Sequence, residues 1–105
     1  MTEKPKPPEN IQAEAALLGA MMIDNKLVDV IAQDLSATDF FEPVHGRIFD
    51  AICQISAKGQ LASPITLKPY FDQDETIAAL GGVPYLAKLT GSGAALVGAK
   101  DFARQ

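Results

Sequence analysis

The chain has 105 residues, of which 48% are hydrophobic and 21% charged, with a formal net charge of −4 and a pI near 4.7. That length supports one domain with a single core burying roughly 60–70% of the unfolded surface. No window gathers Lys and Arg into the basic stripe that gripping DNA phosphates requires, so the fragment is expected to bind DNA little by itself. One cysteine, Cys53, excludes an intrachain disulfide and fits a reducing, cytoplasmic setting, and no apolar run reaches the roughly 18 residues of a membrane span.

Residues 1–9 hold Pro5, Pro7 and Pro8 among Lys and Glu and read as a flexible leader. Asn10 can cap a helix starting near Ile11, and Glu14 places negative charge near its positive end. Ile11, Ala15, Leu18 and Met22 share one face, which Leu17 and Met21 widen, so this helix should be buried from more than one side. Asp24-Asn25 makes a cap or turn. Leu27, Val28, Ile31 and Leu35 then predict a short second helix that Ser36 to Asp39 breaks.

Phe40 and Phe41 form an aromatic pair in a tight connection that reads as a plug between helices. Glu42-Pro43 starts a third helix running to Lys58, with Val44, Ile48, Ala51, Ile52 and Ile55 on one stripe and Phe49 and Cys53 broadening it. Gly59 supplies its left-handed stop. The first and third helices, the longest and most apolar, are expected to be the packing centre.

With Thr66 as N-cap, Pro69 falls in the first turn, and a short helix is expected from Leu67 to about Gln73 rather than a strand. Asp74 caps another through Leu80. Gly81-Gly82 then reverses the chain, and Val83-Pro84 begins a helix with Tyr85, Leu86 and Leu89 on its apolar face. Gly91-Ser92-Gly93 is expected to close that helix as a flexible joint, leaving Ala94 to Gln105 as a last helical segment that ends only because the chain does. The whole reads as all-α: a compact orthogonal bundle of about six to seven short helices, with a globular head over 10–93 and the start of a truncated C-terminal helical hairpin over 94–105.

Sites for chemistry are hard to find. No Gly-rich loop ends in Gly-Lys-Ser/Thr to cradle phosphates. Asp72-x-Asp74-x-Thr76 superficially resembles a calcium loop, yet Ile77 and Val83 stand where the turn glycine and the bidentate glutamate are required. His45 is the lone histidine and, with one cysteine, cannot complete a structural zinc site. As a general base oriented by Asp50 or Glu42 it has no evident nucleophile to serve, so a capping or interhelical hydrogen bond is the better expectation. Pairs such as Asp24 with Asp29 read as caps and solvated faces, and Cys53 as packing. The expectation is no catalytic, cofactor or metal site in this fragment, with association as its work.

Four phrases carry a resemblance. Pro8-x-Asn10-Ile11-x-Ala13-Glu14 with Leu17-Leu18-Gly19 opens the chain; Asp39-Phe40-Phe41 leads to His45 and Ile48-Phe49; Ile65-Thr66-Leu67 follows; and Gly81-Gly82 precedes Tyr85-Leu86 and Leu89. In this order and at these distances they resemble the N-terminal domain of bacterial replicative DNA helicases of the DnaB type. Residues 90–105 depart from the pattern, although Asp101-Phe102-Ala103-Arg104 is similar to the start of the family's helical hairpin.

The resemblance implies a hexameric ATP-dependent helicase whose motor, with ATP and Mg, lies in a separate C-terminal domain. It implies an N-terminal collar, a trimer of dimers built through the hairpin, that docks primase or a helicase loader and helps set the ring's open or closed state. Leu96, Val97 and Phe102 are the subunit-interface candidates, with packing back onto the head as their alternative. Two other readings stay open: a small helix-turn-helix-like DNA-binding or regulatory protein, and a small helical enzyme using His45.

Overall fold

A computed structural model describes residues 11–103, with side chains described through Ala94. Asn10 and the expected leader lie outside the described residues. Helices follow in the order α1 (Ile11–Ile23), α2 (Lys26–Ala32), a 3-10 turn (Ala37–Asp39), α3 (Pro43–Ala57), α4 (Pro64–Phe71), α5 (Glu75–Leu80) and α6 (Val83–Ala103). No strand occurs among the described residues, and the fold is an all-α bundle.

Side chains from five helices meet in the core. Ile48, Ile52 and Ile55 of α3 recur at helical spacing and are sealed from solvent, and Leu18 and Met21 of α1, Leu67 of α4, Ile77 of α5 and Leu86 and Leu89 of α6 close around them. Phe71, at the end of α4, is also buried. Burying each such side chain contributes about 1.5–3 kcal/mol relative to leaving it in water.

The longest helix is α6, with 21 residues, and it packs closely along α1. This corrects two expectations. α1 and α3 supply much of the core but are not the longest helices, and Gly91-Ser92-Gly93 does not break the last helix. Glycine costs about 1 kcal/mol more than alanine in a helix interior, but here it permits backbone contact. A Cβ on Gly19 would lie 1.8 Å from the Leu89 carbonyl oxygen, and one on Gly93 would lie 2.1 Å from the Ala20 nitrogen. Helix-on-helix contact overrides the local flexibility that the sequence suggests.

Two other boundaries differ from expectation. Ser63, not Thr66, caps α4: its hydroxyl accepts from the Thr66 amide at 3.2 Å while the Thr66 hydroxyl accepts from the Ser63 amide at 2.8 Å. Pro64 then takes the first helical position, and Pro69 lies inside the helix rather than in its first turn. The carbonyl that Pro69 leaves without a helical donor belongs to Ile65, a residue 80% exposed, where water can satisfy it. Leu35 falls beyond α2, in a turn where the amides of Asp34 and Leu35 both donate to the Ile31 carbonyl, and still packs partly against the core.

Other stops match the sequence. Glu42 caps α3 through the Val44 amide, Asp74 caps α5 through the amides of Thr76 and Ile77, and Gly59 takes φ 78°. Gly81 and Gly82 turn the chain with φ 122° and 69°, a region that side-chain-bearing residues rarely enter. That reversal brings Tyr85 and Leu86 back onto the core.

Candidate functional site

Glu14 stands alone in the first turns of an apolar helix, three residues past the exposed Ile11 and four before the sealed Leu18. Helical spacing therefore turns its side chain inward. It is 2% exposed, where a carboxyl group must find donors. It finds three: the Phe41 amide at 2.5 Å, the Glu42 amide at 3.2 Å and His45 Nδ1 at 2.9 Å.

His45 sits in the first turn of α3, 0% exposed, and its Nε2 lies 2.8 Å from the Tyr85 hydroxyl of α6. The arrangement that satisfies every atom has Nδ1 donating to Glu14 and Nε2 accepting from Tyr85. The imidazole and phenol rings stack with centroids 6.5 Å apart. Burial, reinforced by the negative charge of Glu42, pushes the Tyr85 hydroxyl above its ordinary pKa.

Around this Glu14–His45–Tyr85 chain the fold gathers residues from three of the four sequence phrases. Gly19 and Leu18 lie one to two turns along α1, Phe40 packs on Phe49 at 5.2 Å, and Gly81-Gly82 delivers Tyr85 and Leu86. Thr66 stays apart in the α4 capping box. The aromatic pair splits: extended backbone at Phe40 sends successive side chains to opposite sides, so Phe40 is buried while Phe41 is 57% exposed. Only Phe40 acts as a plug.

Sequence reasoning assigned Glu14 to the helix dipole and missed its burial. The signal was available, since a lone carboxylate on an otherwise apolar helix needs a partner and the chain has one histidine. Asp50 and Glu42, the residues considered as orienters of His45, do not touch its ring nitrogens, both of which are taken by Glu14 and Tyr85. Enclosed in this way, His45 links helices.

The remaining candidates scatter. One guanidinium nitrogen of Arg47, Nη2, donates to both carboxylate oxygens of Asp74, at 3.1 and 3.0 Å. The Ile77 amide, aided by that guanidinium, holds the Asp74 carboxyl below the usual carboxylate range. Asp72 pairs instead with Lys68 at 3.0 Å, so the calcium-like spacing forms no cage. Among the described residues no three of His, Cys, Asp and Glu converge as metal ligands. Cys53 is half-buried, and burial together with Asp50 and Asp29 raises its thiol pKa. A surface cleft of about 360 Å³ opens between Phe40, Pro43, Gly46 and Arg47. Leu96, Val97 and Phe102 lie on α6, but their side chains fall outside the described residues. No described helix is long and apolar enough to cross a membrane.

The model of the DnaB-like helicase N terminal domain matches residues 6–105, nearly the whole chain. The chain belongs to this family. Proteins named replicative DNA helicase DnaB are similar to it across species: that of Rickettsia felis is 39% identical over 97 residues, covering 92% of this chain and 20% of the relative. The Rickettsia typhi protein is 48% identical over 82 residues, covering 78% and 16% respectively, and the Treponema pallidum protein 36% over 84, covering 80% and 19%. The chain thus spans about a fifth of the length of the DnaB relatives it matches.

Proposed function

We propose that this chain is a non-catalytic collar domain of a hexameric replicative DNA helicase, supporting subunit assembly and docking primase or a helicase loader at the replication fork. The observation that carries the reading is the family match over residues 6–105, combined with a polar pair, Glu14 and His45, that is sealed inside the bundle. A histidine whose two ring nitrogens are both engaged, one by the buried Glu14 and the other by the half-buried Tyr85, has no free nitrogen for a substrate. What the head offers other molecules is its outer surface. ATP and Mg belong, in this reading, to a motor domain elsewhere in the longer protein, and the hairpin begun by residues 94–105 supplies the dimer contacts.

An ATPase and unwinding assay on residues 1–105 is expected to be blank, and turnover above background overturns the assignment. Sedimentation should show mostly monomer, with tighter assembly once the chain extends past Gln105. Titration with purified primase against both lengths tests the docking role directly. Failure of both to bind removes it.

A further inference from the structure

The most exposed large aliphatic residues of the described surface are Ile65, at 80%, and Leu61, at 73%, four positions apart in the chain. The Thr66 hydroxyl donates to the Leu61 carbonyl at 2.8 Å, and the Ser63–Thr66 capping box holds Ile65 in the first turn of α4. Beside them, Asn25 clamps Ala62 on both sides: its Oδ1 accepts from the Ala62 amide at 2.7 Å and its Nδ2 donates to the Ala62 carbonyl at 3.3 Å. The backbone beneath both apolar side chains is therefore tied down. Such side chains lose little further freedom on binding, which favours them as anchors.

Charge marks the same place. Residues 11–94 of this acidic chain contain five Lys and Arg, namely Lys26, Arg47, Lys58, Lys68 and Lys88. Three of them, all exposed, stand next to the patch along the chain: Lys26 follows the clamp residue Asn25, Lys58 precedes Leu61 across the Gly59 turn, and Lys68 lies one turn beyond Ile65. Lys68 is held by Asp72 at 3.0 Å in an exposed pair that contributes little, and Lys58 lies over the Tyr70 ring at 5.6 Å and 3.2 Å from its hydroxyl. Asp24 is the acidic group next to Lys26, its carboxylate accepting from the Lys26 amide.

We propose that Leu61 and Ile65, with the rim of Lys26, Lys58 and Lys68, form a docking site for a short acidic amphipathic segment of a partner protein. Two apolar anchors of that segment cover Leu61 and Ile65 while its Asp and Glu side chains meet the lysines. A second copy of this chain is a poorer fit, because two aliphatic side chains fall well short of the roughly 800 Å² per partner that stable protein pairs bury, and because the copy would carry the same lysines. The proposal rests on the reading of the chain as a docking domain and narrows it to one surface and one chemistry.

The test is an NMR titration of the isotopically labelled 105-residue chain with two synthetic amphipathic helices that share their leucines and differ in flanking Glu or Lys. The Glu peptide is expected to shift Leu61, Ile65 and the three lysines saturably, and the Lys peptide is not. Ile65→Asp, and separately the double change Lys58→Glu with Lys68→Glu, should each weaken the Glu peptide by about tenfold or more. These side chains are exposed, so each variant is expected to stay folded, which a thermal melt checks, and the lysine double variant tests the site independently of Ile65→Asp. Equal binding of the two peptides, shifts elsewhere on the head, or undiminished binding by the variants overturns the proposal. A dimer that Ile65→Asp abolishes, or the same shifts caused by a single-stranded oligonucleotide, reassigns the patch and also overturns it. None of these results alters the primase titration above, so the docking role stands or falls separately.

Discussion

Near each end of α1 one polar side chain reaches out of an apolar helix to hold a distant loop, and the two do so differently. Glu14 is sealed and only accepts, taking the Phe41 and Glu42 amides and His45 Nδ1. Asn25 is half-buried and does both, donating to the carbonyls of Met21, Met22 and Ala62 while accepting from the Ala62 amide. The difference follows from what each must satisfy. The segment entering α3 offers Glu14 the spare amides of Phe41 and Glu42, and the last turn of α1 offers Asn25 spare carbonyls, so a carboxyl suits the first place and an amide the second.

Removing Glu14 should expose the contrast most strongly. Glu14→Ala leaves three donors without their acceptor in the core and is expected to cost about 3 kcal/mol or more, on the order of 15 °C in Tm. A thermal melt within a few degrees of wild type would show that the loop is held by something else. Next comes the contact between the two ends of α1, where backbone meets backbone. Gly19→Ala puts a methyl group 1.8 Å from the Leu89 oxygen, so α6 must move away; we expect a loss of about 2–3 kcal/mol. Faster amide exchange in α6 than in α3 would locate the damage.

Asn25→Asp tests whether donors matter at the second end. It replaces an amide that gives hydrogen bonds to carbonyls with a charge facing them at a helix C-terminus, and should cost about 2 kcal/mol, more than Asn25→Ala. Equality of the two variants in denaturant unfolding would reduce the clamp to its packing. Tyr85→Phe keeps the ring and removes one hydrogen bond to His45, with an expected loss of about 1 kcal/mol. The smallest effect concerns Asp74, outside both regions. Its folded pKa is depressed, so its contribution is full above the unfolded value and disappears as pH falls through the folded one. Asp74→Asn should flatten the acid limb of the stability curve slightly without changing stability order at either end of α1, and an unchanged limb would contradict the hydrogen bond from Ile77.

Much of the fold was legible because its signals are local. The starts at Glu42-Pro43 and Asp74 and the turns at Gly59 and Gly81-Gly82 follow from capping and from backbone freedom. The α4 start was misplaced where two local signals competed, since Ser63-Pro64 and Thr66 both offer a cap and only the reciprocal bonding between them decides the register. The site was half legible. His45 was recognised as a hydrogen-bonding residue, while its partners, 31 residues before it and 40 after it, carry no local mark of the pairing.

By itself the sequence determined the helical class, most helix starts, the apolar faces and, through four ordered phrases, the family to which the chain belongs. Tertiary structure alone decided that α6 runs unbroken through Gly91 and Gly93, because at Gly93 the close approach of α1 rewards the absence of a Cβ more than helix propensity penalises it. It also decided that Glu14 faces inward to His45 and that Leu61 and Ile65 stay outside. Those outcomes depend on which surfaces meet across the bundle, and periodicity along one helix does not contain that information.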